Sequence, residues 1–276
     1  MNRRGQTLSE IRAVLDEHGL KPRRRLGQCF LHDKNLLGRL VEAAGISPGD
    51  LVVEVGPGTG TLTEVLLEHG AEVVACEIDP GLAAIVRQRF GSRLELIEGD
   101  CLGRGRRLSE PLQSALAGRS FRLVANLPFQ VASTLIVTLL AHHRECHGQF
   151  VTVQQEVAQR LTASPGTKTY GGLSVIVGAL AEVTTIASLP PTCFWPQPKV
   201  SSMMVAITPR PNHGIDDPDD LARFTTAMFG KRRKQLGTIF GRETNWPDGV
   251  TADQRPEAIT VQQTVALWRE TRGIRE

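Results

Sequence analysis

The chain has 276 residues, enough for one large core with an appendage or for two domains. Hydrophobic residues make up 41% and charged residues 22%, the balance of an ordinary globular protein and not of a disordered one. No apolar run approaches the roughly 20 residues needed to span a bilayer, and the opening "MNRRGQTLSEIRAVLDEHG" lacks the apolar core of a secretory signal, so the cytoplasm is the expected location.

The net charge of +3 says little, but the cations come in three runs. These are Lys21 with Arg23, Arg24 and Arg25; Arg104, Arg106 and Arg107; and Lys231, Arg232, Arg233 and Lys234. Such clusters on a nearly neutral chain point to a polyanionic partner, against the plainer reading of solvated surface. The five cysteines are odd in number and none has C-x-x-C spacing, so no disulfide framework is expected.

Thr7-Leu8-Ser9-Glu10 is a capping-box pattern, and Leu8, Ile11, Val14 and Leu15 follow at helical spacing. That helix should end near Gly19, and the basic segment to Gln28 reads as an extended arm. From residue 35 the chain alternates. "NLLGRLVEAAG" reads as a helix, "LVVEV" as a strand, "TLTEVLLEHG" as a helix and "EVVACEI" as a strand. Asp79-Pro80 opens another helix, with Asp as N-cap and Pro at the first position. "LELIE", "FRLVA" and "QFVTV" are further strands, with the helix "STLIVTLLAHH" between the last two. In His142-His143-Arg144-Glu145-Cys146-His147, helical spacing would align potential metal ligands; the plainer expectation is a polar helix end before Gly148. Nearly unbroken apolar strands alternating with helices imply an α/β fold, a parallel sheet covered on both faces. "EVTTIAS" and "SMMVAIT", parted by the Pro-rich "LPPTCFWPQPKV", should add an antiparallel edge hairpin. "PRPNHGIDDPDD" reads as a linker, and the remainder as helical.

The chemistry gathers at strand ends. Glu54-Val55-Gly56-Pro57-Gly58-Thr59-Gly60 is a glycine turn of the acid-x-G-x-G-x-G type, resembling that of S-adenosylmethionine-dependent methyltransferases. A dinucleotide-binding G-x-G-x-x-G would need glycine where Thr61 stands, which disfavours an oxidoreductase. Glu77 ends the next strand, 17 residues beyond Gly60, where a carboxylate accepts both ribose hydroxyls of an adenosine-bearing cofactor. Asp100 ends the third strand, placed for the adenine amine. After the fourth comes Asn126-Leu127-Pro128-Phe129. An amide oxygen and a backbone carbonyl there suit an exocyclic amine, proline stiffens the turn, and Phe129 offers a face for an extruded base.

The chain resembles the KsgA-type rRNA adenine N6-dimethyltransferases nearly end to end. The family's entry motif matches "RRRLGQCFL" at 23–31, its glycine loop 54–60, its E-I-D Glu77 to Asp79, its G-D-A-L 99–102 and its N-L-P-Y/F 126–129. "QQEVAQRL" at 154–161, 170–175, 194–200 and Arg232 to Leu236 match further motifs. Two positions depart: Cys29 replaces the usual asparagine and Phe129 the commoner tyrosine.

The resemblance implies a Rossmann-like class I methyltransferase sheet with a small C-terminal helical domain. The expected division is an N-terminal helix and arm at 1–31 belonging to the catalytic domain, a methyltransferase domain at 32–209, and an RNA-binding helical domain at 210–276. It implies S-adenosylmethionine as cofactor, held by Gln28, Cys29, Leu31, Glu54, Gly56, Gly58, Glu77, Asp100 and Asn126. Catalysis would fall to Asn126, Leu127 and Phe129. rRNA would be gripped by Arg23, Arg24, Arg25, Lys231, Arg232, Arg233 and Lys234. The implied substrate is two adjacent adenosines in a hairpin loop near the 3′ end of small-subunit rRNA, met in the immature subunit by a monomer that uses no metal. A 23S-type resistance methyltransferase and a non-catalytic assembly factor on the same scaffold are the alternatives. A DNA adenine methyltransferase is disfavoured, since N/D-P-P-Y is absent.

Overall fold

The computed structural model describes residues 6–272, without the side chains of Arg24 and Arg106. In chain order the elements are α1 (Leu8–Glu17), β1 (Phe30–Leu31), α2 (Lys34–Ala44), β2 (Leu51–Val55), α3 (Thr61–Glu68), β3 (Glu72–Glu77), α4 (Pro80–Phe90) and β4 (Glu95–Glu98). Then follow α5 (Glu110–Leu116), β5 (Phe121–Asn126), α6 (Ala132–His142), β6 (Cys146–Gln154), α7 (Gln155–Leu161), α8 (Gly172–Leu180) and β7 (Ala181–Leu189). The chain continues through β8 (Phe194–Trp195), β9 (Ser202–Pro209), α9 (Pro218–Gly230), α10 (Leu236–Phe240) and α11 (Val261–Arg272).

Among the described residues the main sheet has the order β4-β3-β2-β5-β6-β9-β7. β2 runs parallel to β3 and β5, β3 to β4, and β5 to β6. β9 is antiparallel to β6. The chain therefore leaves β2 toward β4, then returns to lay β5 on the other side. That reversal between β2 and β5 is the topological switch point, where the loops at the strands' carboxyl ends diverge and leave a crevice. Every residue of β2 is buried, as a strand covered on both faces requires. Leu37, Leu40 and Val41 of α2 and Leu62 and Leu66 of α3 share a core with Val52, Val73, Val124 and Met204 of the sheet.

The capping box of α1 is present, Thr7 and Glu10 bonding each other's backbone. Ile11 and Leu15 of α1 pack with Leu82 and Ile85 of α4 and with Phe30. Phe30 and Leu31 pair with Trp195 and Phe194, which fixes the end of the arm. The arm is not wholly extended, since Arg24–Leu26 form a 3-10 turn.

One expectation is corrected. The helix before Gly148 stops at His142, and Cys146 already begins β6. His143 instead faces Glu145 at 2.8 Å, and His147 contacts Ser120 at 3.0 Å. No metal-holding group of three such side chains exists among the described residues. The compact units differ from a cut at 209. One comprises Met1–Gln155 with Thr184–Thr208, the other Glu156–Val183 with Pro209–Glu276. The cause is "LSVIVGAL", which folds as α8 and packs on α9 and α11. In this second unit Trp268 donates to Asp220 at 2.6 Å, and the buried Tyr170 hydroxyl donates to the Ile259 carbonyl at 3.0 Å.

Candidate active site

The crevice at the switch point is lined by the arm (Leu26 to Leu31), the glycine turn after β2, the end of β3, and the loop after β5. It continues past Glu77 and Ile78 to Gly99, Asp100 and Leu102. Gly56 has φ +74°, and a Cβ there would stand 3.0 Å from the Pro128 ring. Gly58 has φ +61°, and its Cβ would stand 2.9 Å from Phe30. Both positions need glycine for backbone conformation and for close approach. The cradle is thus bare peptide, with the N–H of Gly58 donating to Glu77 Oε2 at 3.2 Å.

Glu77 is 4% exposed, and its other oxygen accepts the Asp79 N–H at 2.9 Å. Burial raises its pKa, opposed by these backbone bonds. Each oxygen keeps a lone pair toward the crevice, the requirement for binding a diol. Glu54 is fully buried and accepts from Thr63 Oγ1 at 2.6 Å. Its pKa is pushed up to about 8 by burial, with the charge of Glu77 adding and the Thr63 bond opposing. Asp100 is exposed and accepts the Leu102 N–H at 2.9 Å. Between Glu77 and Asp100 the wall is Ile78, 48% exposed, an apolar side chain with no packing reason to face outward.

Across the crevice, Asn126 Nδ2 donates to the Cys29 carbonyl at 3.0 Å. Its Oδ1 has no partner among the described residues. Leu127 is buried, its N–H held by the Thr152 carbonyl at 3.3 Å. Phe129 is half-buried on the crevice wall.

Residues 19–271 match the family described as ribosomal RNA adenine dimethylase. The chain belongs to the ribosomal RNA adenine dimethylase family. It is 36% identical over 267 residues to a ribosomal RNA small subunit methyltransferase A of Magnetococcus marinus, covering 93% of this chain and 94% of that one. A protein of the same description from Rhodospirillum rubrum is 42% identical over 237 residues, covering 84% and 80%. A dimethyladenosine transferase crystal structure from Plasmodium falciparum superposes with TM-score 0.73 at 25% identity, over 88% of this chain and 98% of that one. A 23S rRNA methyltransferase, ErmE, shares the fold with TM-score 0.64 at 22% identity. The protein is an enzyme, an rRNA adenine dimethyltransferase that uses S-adenosylmethionine.

In this dimethylase the crevice brings together Cys29, Leu31, Glu54, Gly56, Gly58, Glu77, Asn126, Leu127 and Phe129, with Asp100 at its far end. Gln28 lines it too, but its amide is committed elsewhere. Its Oε1 accepts the Arg23 N–H at 2.7 Å and its Nε2 donates to Asp79 Oδ2 at 2.9 Å. Cys29 likewise spends its carbonyl on Asn126, and burial raises its thiol's pKa. Leu31 lies buried in β1 as part of the wall.

The basic residues divide. Arg23 is not a bare phosphate ligand, because its guanidinium pairs with Asp79 at 3.3 Å. Arg25 is exposed, and the Arg24 side chain lies outside the described residues. Lys231, Arg233 and Lys234 are exposed in the turn after α9. Arg232 is an internal tie. It pairs with Glu257 and donates to the carbonyls of Lys168 (2.8 Å), Tyr170 (2.9 Å) and Thr167 (2.9 Å). In the sequence Ile78 and Asp79 stand out only as part of the E-I-D match and, for Asp79, as a helix cap. An apolar residue directly after a strand-end acid was the available signal for Ile78.

Proposed function

We infer that this protein dimethylates adenine N6 in small-subunit rRNA, in the immature subunit. The carrying observation is the Asn126 amide, tied through Nδ2 so that Oδ1 faces a crevice whose opposite wall is the glycine turn and Glu77. The small-subunit description of the relatives supports that substrate over the 23S type. A pair of adjacent adenosines near the 3′ end is the target the sequence resemblance implies. A substrate in small-subunit rRNA supports a cytoplasmic site of action, and no helix among the described residues is long and apolar enough to cross a membrane.

The crevice fits the cofactor. Gly56 and Gly58 form a cradle that a Cβ would fill, and Glu77 offers two acceptors to a ribose. Ile78 gives the adenine an apolar face, Asp100 an acceptor, and Glu54 a buried carboxyl, its pKa pushed up to about 8, whose ionised form a cationic ligand would favour. Bound S-adenosylmethionine supplies a methyl group activated by its sulfonium. The chain must then raise the nucleophilicity of the adenine amine, whose lone pair is delocalised into the ring. In the first transfer Asn126 Oδ1 and the Leu127 carbonyl accept its two N–H bonds, and in the second one of them accepts the single N–H that remains; each arrangement favours a pyramidal nitrogen with its lone pair directed out of the ring plane. Pro128 holds the turn, and Phe129 stacks on the base. The cationic product loses its proton to water, so orientation carries the catalysis.

The test is incubation of labelled cofactor with immature small subunits, followed by mapping of labelled nucleosides. Label in N6,N6-dimethyladenosine of small-subunit rRNA is expected; label confined to large-subunit rRNA would overturn the assignment. Phe129→Tyr should retain near-full turnover, since the stacking face is kept. Phe129→Ala should lose about 1–3 kcal/mol of base binding, read as a higher KM for RNA.

Lys231, Arg233 and Lys234 are proposed to grip phosphate. Changing the three to Gln should weaken subunit binding, and the log–log salt slope should fall by about 0.7–0.9 per lost contact. Filter binding across a salt series reads this directly. Arg232→Gln belongs to a different class: it should lower stability by about 1.5–3 kcal/mol per lost charged bond, read by denaturant unfolding. A salt slope that fell only in the Arg232 variant would reverse this division.

A further inference from the structure

Asp79 does more than cap α4. Its Oδ1 accepts the Gly81 N–H at 3.0 Å, which is the cap. Its Oδ2 is a separate acceptor, taking Gln28 Nε2 at 2.9 Å, with the Arg23 guanidinium in ion-pair contact at 3.3 Å. The carboxylate side chain is 4% exposed, so its bond from Gln28 is shielded from water, where charge-assisted pairing is strong, while the Arg23 side of the ion pair stays 42% exposed. Gln28 Oε1 meanwhile accepts the Arg23 N–H, so the two arm residues are also bound to each other.

The same arm is tied on its other side. Gln130 Nε2 donates to the Arg25 carbonyl at 2.8 Å, and Asn126 Nδ2 donates to the Cys29 carbonyl. Residues 23–29 thus bridge the two lips of the crevice, one formed by the β3–α4 turn and one by the loop after β5. An asparagine amide can turn over and exchange its oxygen and nitrogen. Among the described residues the Cys29 carbonyl is the one bonded partner that decides which end faces the crevice, and that carbonyl sits one residue from Gln28.

We propose that Asp79 is a latch and a positioning residue: through Gln28 and Arg23 it straps the arm across the cofactor crevice, and through the arm it fixes the orientation of the Asn126 amide. The proposal rests on the function given above. It assigns the arm's polar side chains to closing and aligning the site, not to touching the cofactor.

The experiment compares Asp79→Asn, Gln28→Ala, the double variant, and the exchanged pair Gln28→Glu with Asp79→Asn. Asp79→Asn keeps an oxygen for the cap but puts an NH2 where Oδ2 was, facing the donors of Gln28 and Arg23. Gln28→Ala removes the strap without touching α4. Calorimetry gives S-adenosylmethionine affinity, and single-turnover methyl transfer at saturating cofactor gives the chemical step. Each single variant should lose about tenfold in affinity, the scale of one charge-assisted bond, and should also slow single turnover several-fold. The double variant should be no worse than the worse single, since both cut one connection. The exchanged pair inverts donor and acceptor between the two positions, and should recover most of the loss. Losses confined to Asp79→Asn, additive losses, or no recovery in the exchanged pair would each reduce Asp79 to a helix cap. Unchanged single turnover in both singles would break the link to Asn126. Wild-type protein that bound no S-adenosylmethionine in the same titration would instead overturn the function itself.

Discussion

Asn126→Ala should lower kcat by about 10²-fold or more, the scale of losing one oriented polar group in a preorganised site. S-adenosylmethionine affinity should change far less. The reason is the division of labour within one amide. Nδ2 is spent on the Cys29 carbonyl at 3.0 Å, a bond present before any substrate arrives. In the proposed mechanism Oδ1 accepts from the adenine amine, and that bond strengthens as the nitrogen pyramidalises, so it acts on the transition state and not on ground-state binding. Asn126→Asp separates the two roles. It keeps an acceptor in place but sets a carboxylate oxygen against the Cys29 carbonyl, so it should not rescue activity. Single-turnover rates at saturating cofactor and RNA measure both variants. Wild-type turnover in Asn126→Ala would remove the amide from the mechanism.

Much of this site was legible because it is local. "LVVEV" followed by a glycine turn, and "FRLVAN" followed by Leu127-Pro128-Phe129, each announce a strand and the loop at its end. The sheet order then places these loops side by side at the switch point. Asp79-Pro80 announced a helix start for the same local reason, and its cap is present. What the sequence did not show is partner choice across long separations. Gln28 and Arg23 look like a ligand and a phosphate grip until Asp79, about fifty positions away, claims both. Arg232 looks like its neighbours until Glu257 and the carbonyls at 167–170 surround it. A long polar side chain reaches many partners, and only the tertiary fold selects one. The stretch from His142 to His147 failed differently. Its helix-to-strand change takes three residues, shorter than one turn, so helical periodicity cannot register it. The grouping of 156–183 with the C-terminal helices was hidden because an apolar run such as "LSVIVGAL" fits a buried strand and a buried helix alike.

Glu77→Ala should weaken S-adenosylmethionine binding by about 1.5–3 kcal/mol for each hydrogen bond lost to a charged group, hence roughly tenfold to more than a hundredfold for one bond. Its two oxygens are held by the N–H groups of Asp79 and Gly58, so the carboxylate is already aimed when the ribose arrives and little ordering entropy opposes binding. The alanine also strands those two donors at the crevice wall, which adds to the loss. Glu77→Gln tests charge at nearly constant shape. It keeps one acceptor but presents an NH2 to donors on the other side, and should fall between wild type and alanine. Protonation reaches the same end without substitution. A protonated carboxyl has one acceptor fewer and no charge for a cationic ligand, so affinity should fall as pH falls through the Glu77 pKa. Because burial raises that pKa, the fall should begin at higher pH than for an ordinary carboxylate, and binding should release fewer protons at high pH than near the raised pKa. Glu54, pushed up to about 8 beneath the same crevice, should extend the dependence toward neutrality. Calorimetry of wild type and Glu77→Gln across pH separates the two: the Glu77 limb should vanish in the variant, while the Glu54 limb remains, moved to lower pH by the loss of the Glu77 charge. Undiminished affinity in Glu77→Ala would take Glu77 out of the site, and an unchanged pH profile in Glu77→Gln would assign the whole dependence to Glu54.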